Sequence, residues 1–431
     1  MAMACAVGFS LWKMRTVVSR SVTELAEAVA RESNADVKTG KVSLALFPPA
    51  VEVHDVRVTT STKGGDETEI FAAPRVRVTP KLMPIFVGQM LVREAVAIDP
   101  TLLVRRQLRE GRIVYRLPIE DATELDRPKF PISIRGGTIR IDDRVVAPKR
   151  ILDVTGVDLA LEPPSDEGVW SFELTAPAFG EASSVEVWGS VAPGAGPTGG
   201  TGLDVEFKVR GAEPEKFMKL FRLIEGAPLA GELDVEGSAR GFYGETGDEN
   251  APAVPLEIEI HGSTGFVFAD VADRLDFELT ARLDDKQLRL NEGSARWGDV
   301  PFDVTGYMGV TASRKLGLRL IAAKADVAET LAAIGVPERW RARARLDGTL
   351  RVTGTMHEPF MRYDAKAETV EFDGLSLLPI RLTDLSCIGS VLAINADVSA
   401  SCNAGETKIA SALFPSSHFG ITYWRDQIRF V

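Results

Sequence analysis

The chain is poor in side chains that usually carry chemistry. Its three cysteines form no CxxC and no Cys/His cluster, so the sequence offers no zinc site. The four histidines, His54, His261, His357 and His418, stand at no metal-ligand spacing, and HExxH is missing. There is no GxSxG elbow, because Gly237-Ser238-Ala239-Arg240-Gly241 carries its serine one place early. Cationic excess is also missing. Against 61 Asp and Glu there are 50 Lys and Arg, giving a net charge of −11, which argues against nucleic acid as a main partner. No internal run reaches the roughly 20 apolar residues that span a bilayer. A non-enzyme without metal or cofactor is expected.

Three further patterns look chemical but have simpler readings. Gly194 to Gly199 fits GxGxxG, but a strand follows where a dinucleotide site needs a helix, so a surface loop is the better reading. Asp142-Asp143 and Asp284-Asp285 read as acidic residues at turns. Cys387 and Cys402 either pair across a hairpin or sit in a sheet as two small apolar side chains.

What the chain does have is alternation. It holds 431 residues, 45% hydrophobic and 26% charged, which suits a folded protein of several units or a repeat array. Val18, Val22, Leu25 and Val29 mark one helix over about 15–32. Ahead of it, Ala2 to Trp12 is apolar but would rise only about 17 Å as a helix, half a hydrocarbon core. Three readings are open: part of a membrane helix, a weak anchor, or an apolar cap on the following helix.

Beyond residue 36 the period is two. Leu44 and Leu46, Val51 and Val53, Val76 and Val78, Ile132 and Ile134, Leu233 and Val235, and Leu350 and Val352 each put apolar side chains on one strand face. Gly136-Gly137 between Ile134 and Ile139 reads as a hairpin turn. Short helices are expected over 214–224 and 326–334, the second with Asp326 as N-cap. An internal repeat, L-x-G-x-L-x-V-x-G-[ST], occurs at 229–238 and again at 346–355, each copy after one of these helices. Arg339, Arg341, Arg343 and Arg345 alternate with Trp340, Ala342, Ala344 and Leu346, which places four arginines on one strand face. They read as a solvated face, or as contacts for lipid phosphates through Arg341, Arg343 and Arg345.

Seven pieces then follow in a distinctive order: 40–48 (GKVSLALFP), 51–58 (VEVHDVRV), 70–78 (IFAAPRVRV), 82–92 (LMPIFVGQMLV), 96–106 (VAIDPTLLVRR), 111–115 (GRIVY) and 132–143 (ISIRGGTIRIDD). Together residues 39–142 resemble the start of an AsmA-family protein, and the glycine-paced repeats resemble that family's C-terminal half. Gly111-Arg-Ile-Val-Tyr departs from the family's glycine–tryptophan–asparagine step, and the N-terminal apolar segment is short for it.

The resemblance implies a mainly β fold, an elongated, curved antiparallel sheet shaped as a gutter or β-taco, with one N-terminal helix and short helices between strands. It implies a segment over 1–36 as anchor, an N-terminal β region over 37–192, and C-terminal repeats over 203–431 with units near 212–324 and 325–431. It further implies a single-pass inner-membrane protein whose β domain lies in the periplasm. The expected partners are phospholipid or other lipid acyl chains, and inner- or outer-membrane proteins. The expected function is shielding or transferring phospholipid for outer-membrane biogenesis and integrity. The alternative is a non-catalytic periplasmic scaffold for assembly of outer-membrane proteins; a hydrolase would need a polar cluster that the sequence does not offer.

Overall fold

The structure, a computed structural model, describes residues 35–46, 49–61, 67–81, 91–109, 112–116, 130–145, 150–165, 168–177, 179–180, 182–193, 195, 201–216, 229–243, 256–268, 271–283, 287–298, 300–309, 315–328, 342–355, 359–372, 379–392, 397–424 and 427–430. The helix expected over 15–32 lies outside them. Two compact units divide the chain, Met1–Val205 and Glu206–Val431.

Unit 1 contains β1 (Ala35–Lys38), β2 (Val42–Leu46), β3 (Pro49–Ser61), β4 (Glu67–Pro80), β5 (Val92–Ile98), β6 (Thr101–Arg109), β7 (Arg112–Arg116), β8 (Ile132–Asp143), β9 (Arg150–Glu162), β10 (Trp170–Ala176) and β11 (Ser184–Ala192). The division falls within β12 (Thr201–Ala212). Unit 2 contains β13 (Leu229–Tyr243), β14 (Leu256–Phe268), β15 (Val271–Leu283), β16 (Gln287–Trp297), β17 (Val300–Gly309), β18 (Lys315–Asp326), β19 (Ala342–Thr355), β20 (Pro359–Phe372), β21 (Ile380–Leu392), β22 (Asp397–Ala404), β23 (Glu406–Ile409), β24 (Ala412–Phe414), β25 (Ser417–Trp424) and β26 (Gln427–Phe430). The expected mainly β class is what forms. Described helix is confined to 214–216 and 327–328, each ahead of one repeat strand, β13 or β19. Asp326 accepts a hydrogen bond from the Ala328 amide at 2.8 Å, as an N-cap should.

The expectation of an antiparallel sheet holds only in part, because the sheet is mixed. In unit 1, β5 and β6 both run parallel to β8. They are one strand interrupted at Asp99-Pro100. Pro100 has no amide to donate, and Asp99 adopts φ 50°, so the ladder breaks there and resumes. In unit 2, β13 to β22 form an antiparallel meander through most of their length.

The hairpin expected at Gly136-Gly137 does not exist. β8 runs straight through, and the register with β9 shifts between Ile134 and Thr138. Gly136 has φ 64°, and its amide donates to Asp158 Oδ1 at 2.7 Å. This is a bulge. It moves the apolar face from even-numbered Ile132 and Ile134 to odd-numbered Ile139 and Ile141. Asp55, with φ 48°, marks the same change in β3, between Val51/Val53 and Val56/Val58. In unit 2, Lys324 and Asp384 have positive φ as well. The Lys324 amide donates to Asp347 Oδ1, as Gly136 does to Asp158. An aspartate on the neighbouring strand thus satisfies the amide that the bulge removes from the ladder.

Candidate functional site

The register joins the alternating apolar residues of unit 1 into rows. One row reads Leu44–Val51–Val78–Ala95–Ile132–Leu161–Phe172 across β2, β3, β4, β5, β8, β9 and β10. The next reads Val42–Val53–Val76–Ala97–Ile134–Leu159–Leu174 and continues to Val187 on β11. Side chains directly opposite each other share a face, so these rows form one apolar surface. Leu44, Val51, Val53, Val76, Val78, Ile132 and Ile134, all expected from sequence, lie on it. Leu46 pairs with Pro49 at its margin. Leu159, Leu161, Leu174 and Val187 were not singled out from sequence, although the alternation of β9 contains the signal.

Unit 2 repeats the pattern. Leu318, Val352, Met361 and Val391 form one row; Leu320, Leu350, Tyr363 and Gly389 form its neighbour. Leu350 and Val352 were expected on an apolar face and are on it. Leu233 and Val235 lie on β13, where Val235 heads a row through Gly262, Phe277, Ala295 and Phe302. At 6% and 8% exposure they are buried, so substituting them tests folding. Gly389 has no side chain because Tyr363 occupies its place; an added Cβ would stand 2.5 Å from the Tyr363 hydroxyl oxygen. Burial holds the Tyr363 hydroxyl above its ordinary pKa, and it donates to the Ser399 carbonyl at 3.1 Å.

The rows are only partly covered. In unit 1, Val51 and Val53 are buried with Val42, Leu44, Val56 and Val78 packed against them. Farther along, Ile132, Ile134, Leu159, Leu161, Phe172, Leu174 and Val187 are all half-exposed. In unit 2, Leu318, Leu320, Leu350, Val352 and Met361 are half-exposed too. Of the five side chains that are largest among the fully buried, none is Leu, Ile, Met or an aromatic: they are Arg106, Val51, Asp143, Pro100 and Cys402. A sheet face sealed by a second layer buries large apolar side chains. Packed clusters occur among the described residues of both units. In unit 1, Val157 and Ala176 are buried with Ile139, Val154, Leu174, Phe179 and Val185 around them. In unit 2, Ala342, Ala367, Val370, Leu382 and Ala404 are buried with Phe372, Ile380 and Phe419 around them.

The candidate arginines lie elsewhere. Arg343 and Arg345 are exposed and alternate with Ala342 and Ala344, so they occupy the opposite, polar face of β19; Arg341 is outside the described residues. Each meets an acid across the ladder, Arg343 opposite Glu371 and Arg345 opposite Asp326.

Asp142-Asp143 is not a pair of turn acids. Both close β8 and are buried, and the parallel register sets Arg105 against Asp142 and Arg106 against Asp143. Arg106 Nη2 donates to Asp143 Oδ2, while Asp143 Oδ1 accepts the Val145 amide at 3.0 Å. Arg144 Nε donates to Asp142 Oδ2 at 2.8 Å. The sequence distance between partners hid this arrangement. Asp284-Asp285 lies outside the described residues.

Cys387 and Cys402 face each other on β21 and β22 and form a disulfide, the first of the two readings. No helix among the described residues is long and apolar enough to cross a membrane, and no described His, Cys, Asp and Glu group could hold a metal ion. No family model, no curated protein and no solved structure matches the chain.

Proposed function

We propose that this chain is a non-catalytic, AsmA-like envelope protein that shields or transfers phospholipid between the inner and outer membranes. The observation that carries the reading is the pair of adjacent apolar rows in unit 1, running over seven strands with large side chains left half-exposed. Apolar surface in water costs roughly 25 cal/mol per Å². A continuous face of it calls for a cover, and acyl chains lying across the rows supply one without specific hydrogen bonds. Disulfides persist in oxidising compartments, so the Cys387–Cys402 bond supports placing the β region in the periplasm. Anchoring through the N-terminal segment and service to outer-membrane integrity are parts of the same proposal.

Native mass spectrometry and lipid extraction of the full chain, purified gently from membranes, test it. Phospholipid retained in fixed proportion to protein is expected; protein that emerges lipid-free from every preparation contradicts it. The packed cluster around Ala342 and Val370 favours a second reading, a periplasmic scaffold for outer-membrane protein assembly. That reading expects a stable protein partner in cross-linking and no bound lipid.

A further inference from the structure

The polar face of unit 2 carries an arrangement that the lipid-shielding reading does not use. Arg319 of β18 is directly opposite Arg351 of β19, which is directly opposite Arg362 of β20. The row continues to Thr305 on β17 at one end, and to Ser390 on β21 and Ser399 on β22 at the other. It contains no carboxylate. All three arginines are exposed, and none makes an ion pair among the described residues.

Directly opposed side chains stand about 5 Å apart, and like charges there are destabilising. Elsewhere in unit 2 the ladders set acids among the bases. Glu257 separates Arg240 from Arg282, Glu371 separates Arg343 from Arg381, and Asp276 faces Arg296. Arg282 also faces Arg289, but it has Glu257 on its other side. Arg319, Arg351 and Arg362 are three arginines in succession, with no acid between them.

The place is concave. A cavity of about 750 Å³ is lined by Arg319, Arg351 and Arg362 together with Lys366, Ile321 and Ile388. That volume lies in the range of small-molecule sites. Two carboxylates also line it, Asp347 and Asp364. Asp347 is already engaged with the Lys324 amide, and Asp364 makes no ion pair among the described residues. Beside the arginine row runs Ile321–Thr349–Asp364–Ile388, with an isoleucine at each end, and Ile388 is 57% exposed. Anionic and apolar ligand surface would both find partners there.

We infer that Arg319, Arg351 and Arg362 form a binding site for a phosphate-bearing ligand on the polar face of unit 2. Guanidinium forks match phosphate oxygens in pairs, and one tetrahedral phosphate offers enough oxygens to bridge two neighbouring forks. A carboxylate fills one fork and leaves its neighbour uncompensated. Arg351, in the middle, serves both spacings. This site lies on the face opposite the apolar rows and does not depend on lipid lying across them.

The source of the phosphate is either a soluble phosphoester or a lipid headgroup, and two probes separate them. Isothermal titration of the full chain with pyrophosphate reads the first. Flotation with phosphatidylcholine vesicles, with and without phosphatidylglycerol, reads the second. Each is run on the parent, on Arg351→Ala and on Arg351→Lys, at low and at moderate salt. Pyrophosphate binding weakened about tenfold or more in Arg351→Ala, and only partly restored by Arg351→Lys, supports a soluble ligand. Phosphatidylglycerol-dependent flotation lost in Arg351→Ala, without pyrophosphate binding, supports a headgroup. Flotation that survives the substitution belongs to other surfaces of the chain and, without Arg351-dependent pyrophosphate binding, counts against the site. Binding of neither probe in an Arg351-dependent way overturns the inference. Removing a like charge should leave the fold intact, so Arg351→Ala is expected to melt no lower than the parent in phosphate-free buffer. Should it melt lower, Arg362→Gln provides the same comparison from the end of the row.

Discussion

Two sets of arginines, one in each unit, meet opposite solutions. In unit 1, Arg105 and Arg106 are matched one to one with Asp142 and Asp143 by a parallel register, and Arg106 and Asp143 are buried. In unit 2, Arg319, Arg351 and Arg362 are matched with one another and left exposed. Desolvation accounts for the difference. A guanidinium out of water needs its carboxylate in place within the fold, because a lone buried charge costs several kcal/mol. An exposed guanidinium is screened and can wait for a ligand. The buried charge of unit 1 is therefore structural, while charge in the unit 2 row is available.

The largest effect should come from breaking the matched set. Asp143→Ala leaves Arg106 buried without its carboxylate and should cost about 3–5 kcal/mol in denaturant unfolding of the full chain. Replacing both partners, as Arg106→Met with Asp143→Leu, should recover most of that loss. If the single substitution is as mild as the double, the pair does not hold this end of unit 1 together.

Next in size is the bulge that keeps β8 in phase. Gly136→Ala puts a side chain at φ 64°, with its Cβ 2.6 Å from Asp99 Oδ1. A loss of about 1–2 kcal/mol is expected from the left-handed backbone alone. The unmatched set should behave in the opposite sense. Arg351→Ala should leave the melting temperature unchanged or raise it, by an amount worth no more than about 1 kcal/mol.

The smallest effect concerns pH. Arg140 donates from Nε and Nη2 to the two carboxylate oxygens of Asp153 at 2.9 and 3.0 Å, and that hydrogen bonding holds the Asp153 carboxyl below its ordinary pKa. A depressed carboxylate contributes stability above its unfolded pKa and loses it as pH falls through the folded one. Both side chains are partly exposed, at 46% and 38%, so the contribution is slight. Asp153→Asn should flatten the acid limb of a stability–pH curve slightly and leave neutral pH almost unchanged.

Much of the apolar face was legible in the sequence, because period two over Val51/Val53, Val76/Val78 and Ile132/Ile134 fixes which side chains share a side. Where the period changed phase, the reading failed. Gly136-Gly137 reads as a turn, whereas Ile132/Ile134 followed by Ile139/Ile141 is also the signature of a bulge: apolar alternation that switches parity across a residue able to adopt positive φ. Asp55 between Val53 and Val56 is a second switch of parity at a positive φ, there without a shift in register. What no local pattern could provide is register. Whether Arg106 meets Asp143, or Arg351 meets Arg319, depends on which strands pair and with what offset. The same holds for the candidate arginines: alternation put Arg343 and Arg345 on one face, but only pairing identifies the acids across from them.

The central claim is that the half-exposed rows hold lipid. Its most direct test is the amount of phospholipid retained per chain by the parent and by Ile134→Asp and Leu350→Asp, with melting temperatures measured on the same samples. Both residues are half-exposed, so a carboxylate there can reach water without unfolding the strand. The account predicts retained lipid in the parent, and clear loss in each variant at near-parent melting temperature. Equal lipid in all three proteins, or none in any, would contradict it.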